Sequence, residues 1–149
     1  MKKVMIVDDN TLSSEGIVQN IDWELLDAEV IHVENNGDSA IESMRRAPVD
    51  LIISDIEMPN LDGISMSSLA LSVNPLVKII LISAYDKFEY AKRAIRLGVC
   101  DYIEKPLDYR YLTEKIRNAF SIIDRERHNR ELVEQSRPLM TEKFFTDLL

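Results

Sequence analysis

The chain has 149 residues, 46% hydrophobic and 30% charged, which suits one substantial core with an appendage and argues against a multidomain enzyme. A formal charge of -8 argues against this segment itself gripping nucleic acid, since phosphate binding needs a basic face. One cysteine, Cys100, excludes an internal disulfide and any cysteine-based metal cluster, and no apolar run reaches the length of a signal segment or membrane span, so a cytoplasmic protein is expected with Cys100 as a small buried hydrophobe.

Strand-like runs alternate with helical periodicity. The first strand, near 3–7, carries the continuous apolar string Val4-Met5-Ile6-Val7 and ends in Asp8-Asp9. A helix and the loop Ile21-Asp22-Trp23 follow, then a strand near 29–33 that contains His32. Gly37-Asp38-Ser39 opens the second helix and Pro48 closes it; the strand near 51–54 runs into Asp55, and Asp62-Gly63 opens the third helix. Ile79-Ile80-Leu81-Ile82, in the strand near 78–82, ends in Ser83, and Gly98 stands as the glycine just past the fourth helix. The strand near 101–103 leads to Lys105-Pro106, after which Leu112, Ile116, Ala119, Phe120 and Ile123 keep the spacing of a helix packed on the sheet. This alternation predicts an α/β fold built on a five-stranded parallel sheet.

Beyond residue 123 the character changes. Asp124 to Arg137 is mainly charged, reads as a solvated helix face and contains His128. Pro138 is expected to interrupt that helix before an apolar stripe of Leu139-Met140, Phe144-Phe145 and Leu148-Leu149. The division is therefore 1–123 for the core domain and 124–149 for a helical linker toward an output domain absent from this chain, whose presence would cover the stripe.

In a parallel sheet the carboxyl ends of the strands share one edge, so Asp8, Asp9, Asp55, Ser83 and Lys105 should meet in space. Three carboxylates together repel unless protons or a hard cation offset the charge, and Mg2+ suits an all-oxygen site that keeps several waters. A carboxylate can attack a phosphoryl group to give an acyl phosphate, and Asp55, alone at the end of the central strand, is the natural nucleophile. The transferred group needs its oxygens neutralised, which a metal on one side and Lys105 on the other would do, with Ser83 donating to a third oxygen.

These residues carry a family resemblance. Asp8-Asp9, Asp55-Ile56-Glu57-Met58-Pro59 with Asp62-Gly63, Ser83-Ala84 and Lys105-Pro106 resemble the acidic pair, phosphoacceptor loop, switch and lysine motifs of response regulator receiver domains of two-component signalling, over positions 1 to about 123. The resemblance implies a doubly wound, flavodoxin-like sheet in the order 2-1-3-4-5. It implies Asp55 as acceptor of a phosphoryl group from a sensor histidine kinase, and Mg2+ held by Asp9, Asp55 and the backbone carbonyl of Glu57, with Asp8 acting through water. Lys105 and Ser83 would hold the phosphate, the Lys105-Pro106 bond would be cis, and Tyr102 would be the aromatic switch partner of Ser83. Glu57 and Tyr85 stand where the family varies residues that govern water's access to the acyl phosphate.

Ile21-Asp22-Trp23, Tyr85 to Ala91 and Glu142-Lys143-Phe144-Phe145 resemble receivers that precede an AraC-type helix-turn-helix output domain. The implied whole protein is a transcription regulator that meets DNA only through that domain; the apolar tail leaves room for self-association, through the last helices or the linker. Three rivals remain. A phosphatase of the haloacid-dehalogenase kind would use Asp8 as nucleophile, but Asn10 stands where that chemistry needs an acid. A flavin module on the same fold would put phosphate where Asp8-Asp9 repel it. A phosphorylation-independent interaction module would use the fold without the chemistry.

Overall fold

The structure, a computed structural model, describes residues 1–84 and 88–148, with side chains for all of these except 88 and 135–148. The elements run β1 (Lys2–Val7), α1 (Thr11–Asn20), β2 (Ala28–Glu34), α2 (Gly37–Arg46), β3 (Leu51–Asp55), α3 (Gly63–Val73), β4 (Lys78–Ser83), α4 (Phe88–Leu97), β5 (Asp101–Glu104) and α5 (Tyr109–Leu148). The five strands form one sheet in the order β2-β1-β3-β4-β5, with every pairing parallel. Each expected strand agrees with the structure to within one residue at either end.

Alternation along the strands sorts side chains to the two faces of the sheet, and both faces are covered. Met5, Val7, Ile52, Ile79 and Leu81 point to the side covered by α2, α3 and α4, where Ala40, Met44, Met66 and Ala94 complete one core. Val4, Ile6, Leu51, Ile53, Ile80 and Ile82 point to the opposite side, where Ile17 of α1 and Leu112, Ile116, Ala119 and Phe120 of α5 complete the other. Each fully buried Ile or Leu contributes roughly 1.5–3 kcal/mol, so this double covering fixes strand order and register together.

Helix ends are specified locally. Asn10, Asn36 and Asp62 cap α1, α2 and α3, each accepting from amides of the first turn. Past α4, Gly98 adopts φ 97°, and the Val99 amide donates to Ala94 while that of Gly98 donates to Ile95, the paired closure that a left-handed residue permits.

Two expectations need correction. Pro138 does not end the last helix: α5 continues as one element to Leu148. A proline withholds one backbone donor and crowds the carbonyl four residues earlier, a cost of about 3 kcal/mol that the long continuous helix absorbs. The charged run beyond Ile123 is exposed, as expected, from 124 to 134 except at half-buried Glu126, and three of its charges also reach the sheet. Asp124 pairs with Lys2 at 2.7 Å, Glu126 with Lys78 at 2.9 Å, and Arg127 with Asp50. Asp50 also accepts the Lys3 amide at 2.7 Å, so the start of the sheet clasps α5 past the end of its apolar stripe. Cys100 is half-buried rather than fully buried and packs against the α1/α5 core. Tyr85 and the side chains of the stripe at 139–149 lie outside the described residues.

Candidate functional site

β1 and β3 are neighbours, but the chain leaves them toward opposite faces, α1 joining one core and α3 the other. The crevice this opens at the carboxyl edge of the sheet is where α/β folds bind ligands. Asp8 and Asp9 follow β1 directly, and Asp55 is the last residue of β3. One carboxylate oxygen from each of the three lies within 4.8 Å of the others, the one such acidic cluster among the described residues. Asp8 and Asp55 are buried and Asp9 is exposed.

The loop after Asp55 is pinned tightly. The Ile56 amide donates to Ile82 at 3.0 Å, Gly63 donates to Ile56 at 2.8 Å, and buried Met58 anchors the turn. Gly63 is there because of that closeness: a Cβ would strike the Asp55 carbonyl and stand 2.8 Å from Ile56 Cα, so only glycine lets α3 start this near the acceptor strand. Glu57 is exposed on the loop.

Lys105 reaches back across the edge, its Nζ donating to Asp55 Oδ2 at 3.2 Å, and its amide donates to the Ser83 carbonyl at 2.7 Å. Its bond to Pro106 is cis. Ser83 ends β4 and is fully buried. Asp55 Oδ1 and Ser83 Oγ, both buried, make no hydrogen bond of ordinary geometry. Such atoms are costly unless a partner arrives. Tyr102 is half-buried against the α2/α3/α4 core, opposite Leu81 on β4.

Burial raises the Asp55 carboxyl above the usual carboxylate range, opposed by Lys105 and by the Glu57 and Ile56 amides. Asp8 is raised from 3.8 to about 6, first by burial and also by Asp55 and Asp9, against the Asn10 amide and Lys105. The donor set is all oxygen and crowds three carboxylates together, and it fits a hard divalent cation that would offset their repulsion. With no cation, a group raised in the fold contributes fully below its unfolded value and loses that contribution as pH rises through the folded one. Asp8→Asn should therefore stabilise metal-free protein by on the order of 2 kcal/mol at pH 7.5 and negligibly at pH 4. Urea melts of both proteins at the two pH values check this; equal stability at pH 7.5 would contradict it. Mg2+ should shrink the difference, because binding restores what the ionised Asp8 costs.

Several residues resolve into structural roles. The Asn10 side chain accepts the Leu12 and Ser13 amides as a helix cap. Trp23 packs on the α1/α5 core and its indole N–H donates to Val18 at 3.2 Å. His32 Nε2 lies 3.0 Å from the Ala47 carbonyl, and His128 is exposed. The sequence reading did not single out Gly63 as a close approach; its place directly after Asp62 was the available signal.

Residues 4–117 match the family model described as response regulator receiver domain. The transcriptional regulatory protein YesN of Bacillus subtilis is 30% identical over 126 residues, covering 85% of this chain and 34% of YesN. The chain thus spans about a third of that relative's length. The REC domain of AraT, a response regulator from Geobacillus stearothermophilus, superposes with a TM-score of 0.80 at 36% identity, covering 85% of this chain and 98% of that one. A CheX–CheY complex with BeF3 and Mg2+ from Borrelia burgdorferi matches with a TM-score of 0.72 at 26% identity, covering 80% and 89%.

Proposed function

The chain belongs to the response regulator receiver family of two-component signalling, and from that membership we propose that Asp55 accepts a phosphoryl group from a sensor histidine kinase. The observation that carries this reading is Asp55 itself, buried at the end of its strand and held by Lys105 in a cluster of three carboxylates. Asp9, Asp55 and the Glu57 carbonyl would hold Mg2+, with Asp8 through water, and the ion would neutralise phosphoryl oxygens. The Borrelia burgdorferi complex, which contains BeF3 and Mg2+, supports that assignment.

A carboxylate oxygen of Asp55 attacks phosphorus, the bond to the donor breaks, and an acyl phosphate remains. Lys105 exchanges its bond to Asp55 for one to a phosphoryl oxygen, which neutralises charge where it develops. Ser83 Oγ turns to a further oxygen, and the Tyr102 ring, two strands' width from Asp55, follows the shift of the β4 end. Driving such a switch from 1:99 to 99:1 takes about 5.5 kcal/mol, to which charge-assisted bonds from Lys105 and Ser83 contribute. The protein is a stoichiometric acceptor, with self-catalysed transfer and hydrolysis as its chemistry. Residues 1–123 form the receiver and 124–149 the link to an AraC-type, DNA-binding output domain in a cytoplasmic transcription regulator, with dimerisation through the last helices or the linker.

Incubation with Mg2+ and acetyl phosphate should add one phosphoryl group by intact mass, and EDTA should prevent it. Absence of any adduct with both small donors and kinases would favour an interaction module that works without phosphate.

A further inference from the structure

Granting Asp55 as the acceptor, what holds the Lys105 loop in place bears on how the amine reaches it. Lys105 sits on a short loop between two fixed ends. At one end its amide is bonded to Ser83 of β4. At the other, Asp108 caps α5 by accepting the Arg110 amide at 2.9 Å, and Tyr109 begins the helix. Beneath the loop lies a cavity of about 160 Å³ lined by Asp8, Ile17, Ile82, Lys105, Leu107 and Tyr109. Leu107 alone of the loop packs on the α1/α5 core, so the loop is held at its two ends and at that one point beside the cleft.

Tyr109 is half-buried against the α1/α5 core and lies on α1 at Gly16. A Cβ at Gly16 would overlap the Tyr109 hydroxyl oxygen, while the next nearest atom, Cζ, would stand at an ordinary 3.6 Å. Glycine in a helix interior weakens the helix relative to alanine. Here it lets the phenol seat fully.

We infer that Tyr109, seated on Gly16, is a positioning residue that holds the Lys105 loop where the amine reaches Asp55. The fit is limited by a single oxygen, so it can be broken and repaired without disturbing the core. Gly16→Ala should slow labelling by acetyl phosphate roughly tenfold, because a displacement of about an ångström at a catalytic group costs up to a hundredfold. Mg2+ half-saturation should stay within about twofold, because the Lys105 amine touches Asp55 but is not itself a metal ligand. The thermal midpoint should not fall, since alanine favours the helix. Tyr109→Phe removes the overlapping oxygen, and Gly16→Ala/Tyr109→Phe should recover labelling to within about twofold of the parent.

Parent-like labelling of Gly16→Ala, or a defect that the double variant does not repair, would overturn the inference. A parent that takes no label at all would instead sink the acceptor reading on which it rests.

Discussion

Asp55→Asn is expected to abolish Mg2+-dependent labelling by acetyl phosphate, by at least about 100-fold, equivalent to about 2.7 kcal/mol of lost transition-state stabilisation. The substitution keeps shape and removes only the nucleophile: an amide oxygen beside Lys105 can still accept its hydrogen bond but cannot form an acyl phosphate. Because Asp55 is buried at a strand end pinned by Gly63, the exchange leaves the loop geometry in place. The readout is the base-labile adduct in intact-mass spectra. A base-labile adduct of undiminished yield in the variant would move the acceptor elsewhere, with Asp9 the nearest exposed candidate.

Lys105→Ala should slow labelling by about 10- to 100-fold, the worth of one hydrogen bond to a charged group at roughly 1.5–3 kcal/mol. Two effects act in the same direction. The phosphoryl group loses a charge-assisted donor, and Asp55 loses the cation that opposes the effect of its burial, so more of it is protonated and inert. The acid limb of the pH–rate profile should therefore move upward in the variant. Mg2+ affinity should change little, since the amine contributes no ligand. Parent-like rates with an unmoved acid limb would mean that Lys105 serves the resting state only.

The fold was legible because its signals are local. Runs such as Ile79-Ile80-Leu81-Ile82 mark strands buried on both faces, and each ends where a chemical side chain begins. The gathering of Asp8, Asp9 and Asp55 followed from topology alone, since parallel strands share an edge. What stayed hidden has no local signal. The pairs Lys2–Asp124 and Lys78–Glu126 join residues far apart in the chain, and charges on a helix surface look the same whether they face water or a strand end. The Gly16–Tyr109 contact is equally distant and depends on one phenol oxygen. The break expected at Pro138 failed for the opposite reason: a strong local preference was applied where the surrounding helix outweighs it.

The clasp at the start of the sheet gives α5 a mechanical character. With 40 residues, the helix is about 60 Å long at 1.5 Å per residue. Its ion pairs at Asp124, Glu126 and Arg127 sit near its midpoint, at the sheet edge opposite Asp55. They divide the helix into an arm that covers the sheet and an arm of similar length beyond Arg127. A tilt of about 5° imposed by repacking under the first arm sweeps the far turn through roughly 3 Å in the opposite direction. A repacking under the covering half would thus emerge, reversed in sense and about equal in size, some 30 Å along the helix from the ion pairs.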